Sequence, residues 1–144
     1  MPPTRRRVIA LLALVAVVAA GLVVHLVLPS SVATDIAGDA LYTVAVYAGV
    51  VVLVPRLQPW AVGLIAGGWS VAVELFQATG IPLELAERFR PLALVFGTGF
   101  DARDLVVYVC AAVIAVAADV VVGRAVGRSV PAGGREGSRL LPRG

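Results

Sequence analysis

Four apolar runs, at positions 8–28, 39–54, 60–79 and 105–122, divide this chain of 144 residues, and each is closed by proline or glycine. A helix needs roughly 20 apolar residues to cross about 30 Å of hydrocarbon. The runs therefore predict an all-α integral membrane bundle of four transmembrane helices. A chain that is 60% hydrophobic and only 15% charged is too apolar for a soluble domain of this size. Four crossings and short loops use the length from 1 to 122 as one transmembrane domain. Residues 123–144, rich in Gly, Pro, Ser and Arg, read as a disordered basic tail on the cytoplasmic side.

Every basic residue is an arginine, and the arginines flank the apolar runs instead of forming a stripe, which argues against a nucleic-acid partner. Arg5, Arg6 and Arg7 precede the first run, Arg56 separates the second and third, and Arg124, Arg128, Arg135, Arg139 and Arg143 follow the fourth. Arg88, Arg90 and Arg103 fall on the opposite side. This bias predicts a multi-pass protein of the bacterial plasma membrane with both termini in the cytoplasm. The run after the arginine triplet is longer than the apolar core of a cleaved signal, so it reads as a retained first helix. Cys110 has no partner and reads as a small packing residue.

Positions 81–100 are the least regular. Pro82 suits the first turn of a short helix and Pro91 breaks it, while the apolar run that follows is too short to span. An interfacial or re-entrant segment between helices three and four is expected. Asp101 and Asp104 then suit the cap and first turn of helix four.

Within the runs, polar residues gather toward the outer end. His25 closes helix one, Asp39, Tyr42 and Thr43 open helix two, Glu74 and Gln77 end helix three, and Asp104 and Tyr108 open helix four. Only Asp119 lies toward the inner face, with Arg124 as its expected neutraliser. At 100° per residue Gly63, Gly67, Ser70, Glu74 and Gln77 share one stripe of helix three, and Asp104, Tyr108, Ala111 and Ala115 share one of helix four. Small residues let helix backbones approach closely, so these two faces are expected to pack together. Glu74 stands out because a carboxyl group inside an apolar helix needs a partner or water. Arg88 or Arg90, reaching back from the loop, is the expected partner. The helix containing His25 offers no second ligand, so no metal site and no cofactor is expected.

The segments Gly38-Asp39-Ala40-Leu41-Tyr42, Glu74-Leu75-Phe76-Gln77 and the stretch from Phe96 through Gly97, Gly99, Phe100, Asp101 and Asp104 to Tyr108 together resemble the bacterial family called domain of unknown function 2809. More loosely, the ExxQ followed by a loop arginine and an aspartate is similar to VanZ-like proteins. Tyr42 stands where tryptophan is usual, Ala93 interrupts the expected leucine-glycine step, and Ala111 replaces a glycine. The resemblance implies a small four-helix membrane protein and carries interest to Asp39, Glu74, Gln77, Arg88, Asp104 and Tyr108. It leaves Arg88 and Arg90 as alternatives for the loop position.

The residues point to a non-enzymatic envelope protein with an outer-leaflet polar site. Asp39, Glu74, Gln77, Arg88, Arg90, Asp104 and Tyr108 would hold the head group of a membrane lipid or a lipid-linked envelope precursor, with arginine pairing to phosphate. The alternatives are an enzyme that uses carboxyl groups as acid and base on a lipid-linked substrate, and a purely structural bundle.

Overall fold

The computed structural model describes residues 1–81, 84, 88, 89, 91 and 100–128. Among them there are four helices and no strand: α1 (Pro3–Val27), α2 (Val32–Leu53), α3 (Pro59–Gln77) and α4 (Ala102–Arg128). The shortest has 19 residues, about 28 Å at 1.5 Å per residue. Each is long and apolar enough to cross a membrane, the architecture of a multi-pass membrane protein. The interfacial or re-entrant segment expected between α3 and α4 lies mostly outside the described residues, as does the tail beyond 128.

Local chemistry sets the helix limits. Pro3 and Pro59 occupy first-turn positions, where a missing N–H leaves no bond unmade. Pro29 and Pro55 follow the ends of α1 and α2, since proline cannot continue the ladder. Gly80, just past α3, has φ of +76°, a left-handed conformation that glycine adopts without strain.

Two boundaries differ from expectation. Helix α2 begins at Val32, ahead of position 39, because Ser31 and Thr34 form a reciprocal cap. The Thr34 amide donates to Ser31 Oγ at 3.3 Å and the Ser31 amide to Thr34 Oγ1 at 2.8 Å. Asp39 is thus two turns inside the helix and caps nothing. Helix α4 runs to Arg128, past the expected stop at 122, since Gly123 lies within it. Asp101 does cap α4, accepting the Arg103 amide at 2.9 Å, and Asp104 sits in the first turn.

Helix α2 is the hub and packs against the other three, while α3 and α4 pack against each other. Helix α1 leans on α2 without comparable contact with α3 or α4. The interior is built from Tyr47, Val51, Val62, Ala66 and Ala115 with buried Thr43, Ser70 and Glu74, whereas Leu12, Leu26, Leu64, Val106, Val113 and Ile114 face outward. That inversion of the soluble pattern suits a lipid solvent, where association depends on close packing and interhelical hydrogen bonds. Cys110 also faces outward and is not part of the core.

The predicted small-residue face on α3 does meet α4. A Cβ at Gly67 would lie 3.3 Å from Ala112 Cβ, and one at Gly63 would collide with Val116 Cγ2. Valine is stiff at χ1 and cannot swing clear cheaply. Gly63→Ala is expected to push the two helices apart and lower stability by about 1–3 kcal/mol, read as a lower unfolding midpoint in detergent. Gly68→Ala, which meets nothing within 4 Å, is the control.

Candidate functional site

The helices bring two polar clusters together, one at each end of the bundle. At the end carrying Ser31, Glu74 is fully buried. Its Oε1 accepts the Asp101 backbone amide at 2.6 Å, and its Oε2 accepts the Tyr108 hydroxyl at 3.1 Å. The same hydroxyl lies 3.4 Å from Asp39 Oδ1. A phenol has one proton to donate, so Tyr108 bridges carboxyl groups from α2 and α3 but serves one at a time. One turn deeper, the Thr43 and Ser70 hydroxyls are 3.1 Å apart. At the rim, Arg103 reaches Asp101 and Asp104 at 3.3 Å each.

An open cleft of about 780 Å³ lies over this cluster, and all four helices contribute to its lining. Helix α1 supplies Val17, Val18, Gly21, Leu22 and His25, an almost wholly apolar wall. Helices α2, α3 and α4 supply Asp39, Tyr42, Glu74, Gln77, Arg103, Asp104 and Tyr108. Tyr42 is further held by Trp69, whose indole N–H donates to its hydroxyl at 2.9 Å.

Of the residues expected from sequence, Asp39, Glu74, Gln77, Asp104 and Tyr108 thus line one cleft. Arg88 is exposed and is not part of the lining, and Arg90 lies outside the described residues. The place expected for a loop arginine beside Glu74 is taken, among the described residues, by a backbone amide and a phenol. Arg103, read from sequence only as a loop cation, turns out to line the cleft. Its position two residues after the capping Asp101 and next to Asp104 was the available signal.

At the opposite end, carrying Pro55, sits a cluster that the sequence did not reveal. Arg6 is buried and pairs with Asp119 through two contacts, Nε to Oδ1 at 3.2 Å and Nη2 to Oδ2 at 2.5 Å. Its other terminal nitrogen donates to the carbonyls of Pro55 at 2.8 Å and Leu57 at 2.5 Å. The Tyr47 hydroxyl donates to Asp119 Oδ2 at 2.8 Å. Arg124, the expected neutraliser of Asp119, is exposed instead. The correction has a geometric cause. Helix α1 begins at Pro3, so Arg6 belongs to its first turn and reaches across the bundle, while Arg124 points away from the core. Tyr47 also anchors this cluster.

Among the described residues no group of three or more His, Cys, Asp or Glu side chains is placed to hold a metal ion. The chain matches the family model described as "Protein of unknown function (DUF2809)" over residues 28–112. No curated protein and no solved structure matches it. The matched segment includes Asp39, Glu74, Gln77, Asp104 and Tyr108, and leaves out Arg6 and Asp119. With more than half of its length covered, and with the four apolar helices that the sequence predicts, the chain belongs to the DUF2809 family of proteins of unknown function.

Proposed function

We propose that this is a non-enzymatic envelope protein of the bacterial plasma membrane that holds the head group of a membrane lipid, or of a lipid-linked envelope precursor, in the cleft at the Ser31 end. The observation that carries the reading is that cleft, whose one wall is apolar and whose other walls bear Asp39, Glu74, Asp104 and Tyr108. Polar groups at membrane depth that line a cavity are the usual mark of a ligand or transport site. The arginines of α1, Arg56 and the end of α4 lie at the Pro55 end, which supports reading that end as the cytoplasmic one and the cleft as open to the outer leaflet.

The lining also favours a class of head group. Among the described residues, the carboxyl groups of Asp35, Asp39, Glu74, Asp101 and Asp104 are accompanied in the lining by one guanidinium, Arg103, already engaged by two of them. A head group that donates hydrogen bonds, an amine or sugar hydroxyls, finds acceptors there, while a phosphate would add further acceptors to a lining already rich in them. This shifts the reading away from an arginine-held phosphate.

A second reading, that the cluster only ties helices together, is favoured by the complete burial of Glu74 and its two hydrogen bonds. Native mass spectra of the protein in mild detergent separate the two. Asp39→Asn and Glu74→Gln preserve shape and most hydrogen bonding. A lipid adduct present on the wild type and reduced about tenfold on both variants, a loss of about 1.4 kcal/mol in binding, supports the binding site. Equal adducts on all three proteins, or none on any, favour the structural reading.

A further inference from the structure

An ammonium only donates hydrogen bonds, whereas a sugar hydroxyl both donates and accepts. The cleft holds a partner for each function, side by side on α2. Tyr42 and Asp39 both line it, and at a spacing of three residues they are neighbours on one helix face. The Trp69 indole N–H donates to the Tyr42 hydroxyl oxygen at 2.9 Å. That contact occupies an acceptor position of the phenol and leaves its proton to be donated. Asp39 takes the long 3.4 Å contact from Tyr108, and a carboxylate can accept about four hydrogen bonds, so acceptor capacity remains. An ammonium seated on Asp39 would meet the Tyr42 proton with another donor. A hydroxyl there donates to Asp39 and accepts from Tyr42 at once.

The polarity continues along the same wall. Thr34 and Asp35 precede Asp39 in the lining, and His25 joins it from α1. Positions 34–42 extend about 12 Å along the helix. A wall that is polar over this length suits a head group with several hydroxyls in series better than one with a single ammonium. The cleft volume of about 780 Å³ falls within the roughly 300–1,000 Å³ of small-molecule sites.

We propose that the cleft selects a sugar or polyol head group, with Tyr42 and Asp39 as a donor–acceptor pair on one hydroxyl and Trp69 as the residue that positions Tyr42. The inference rests on the head-group reading of the same cleft and chooses hydroxyls over an amine.

The test is native mass spectrometry of the full chain in a polyoxyethylene detergent, whose head group carries no sugar. Glucosyl-diacylglycerol and phosphatidylethanolamine are added separately. The wild type is expected to carry more of the glucosyl lipid. Tyr42→Phe should lower that adduct about tenfold, the worth of one hydrogen bond left unmade, and leave the phosphatidylethanolamine adduct unchanged. Trp69→Phe keeps the phenol but frees it to turn, so the ratio of the two adducts should fall in the same direction by less. Either variant decides the matter if the other folds poorly. A wild type that carries no glucosyl lipid, or carries phosphatidylethanolamine equally well, overturns the proposal, as does a folded Tyr42→Phe that keeps the wild-type ratio. If Asp39→Asn still sheds the bound lipid in that event, the head-group site stands and the sugar selectivity alone falls. If it sheds none, both readings fall. Methyl glucoside, with the same ring and no chain, identifies the source. Displacement of the glucosyl lipid at equal concentration keeps the sugar site but makes its ligand a soluble saccharide, and retention supports a lipid-linked one.

Discussion

Asp119→Ala is expected to cause the largest loss of stability of any single truncation at the Pro55 end. The substitution leaves the Arg6 guanidinium facing only the Pro55 and Leu57 carbonyls, and leaves the Tyr47 hydroxyl with the Pro59 carbonyl at 3.4 Å. The two charged side chains are only 11% and 13% exposed, so solvent does little to replace the lost partner. Removing one member of a buried pair typically costs about 3–5 kcal/mol, because the other charge stays desolvated. The long arginine stem can relax toward the interface, which places the expectation near the lower value. Arg6→Ala should behave similarly, since it strands Asp119 and frees both carbonyls. Arg6→Met combined with Asp119→Leu should cost less than the sum of the single changes, as both charges leave together. Arg124→Ala should change stability by no more than about 0.5 kcal/mol. Unfolding midpoints in mixed micelles check all four. If Arg124→Ala proves as damaging as Arg6→Ala, the pairing described here is wrong.

Glu74→Ala is the second large effect, and it acts at the other end. Among the described residues Glu74 is the largest fully buried side chain, and it joins two elements: α3 through its own backbone, and α4 twice, through the Asp101 amide at its cap and through Tyr108 in its second turn. Truncation leaves the Asp101 amide without its acceptor, leaves the Tyr108 hydroxyl with Asp39 alone at 3.4 Å, and opens a cavity beside them. An orphaned buried donor costs about 1–3 kcal/mol, and a cavity of this kind adds to it. A loss of about 2–4 kcal/mol is expected, with the folded yield in detergent falling accordingly. Glu74→Gln keeps an oxygen for the Asp101 amide, and the Tyr108 hydroxyl can turn to accept from the new amide. Its loss should be well under half that of the alanine variant. The ratio of the two effects, measured by the same unfolding assay, therefore separates the need for shape and hydrogen bonding from the need for charge. A glutamine variant as unstable as the alanine variant would mean that the charge itself holds this end of the fold.

The two cases differ in how they could be anticipated. Glu74 drew attention from sequence because a carboxyl group in an apolar run is conspicuous by itself, and its companions Asp39, Asp104 and Tyr108 sat at matching depths in neighbouring runs. Arg6 did not. It is the middle of three arginines at a chain terminus, where a solvated, orientation-setting cluster is the ordinary reading. Whether one of the three turns inward depends on where α1 begins and how it is rotated against α4. Asp119 posed the mirror problem, since Arg124 is five residues away in sequence and Arg6 is 113. Proximity along the chain favoured the wrong partner.

The sequence by itself determined the four helices of membrane-spanning length among the described residues, their order, the family and the end of the bundle at which most of the polar side chains collect. Those properties follow from local quantities: the length of an apolar run, the breakers that close it and the depth of each polar residue within it. Tertiary structure alone decided that α2 is the hub, that α1 stands partly apart and leaves a cleft, that Arg6 holds Asp119, and that a backbone amide and Tyr108 meet Glu74. These depend on the rotation and offset of each helix against its neighbours. In a lipid solvent, close packing of small residues and hydrogen bonds between helices set those quantities, and both are sums over contacts between distant parts of the chain. A hydropathy pattern constrains which face of a helix is buried, but it does not say which neighbour buries it.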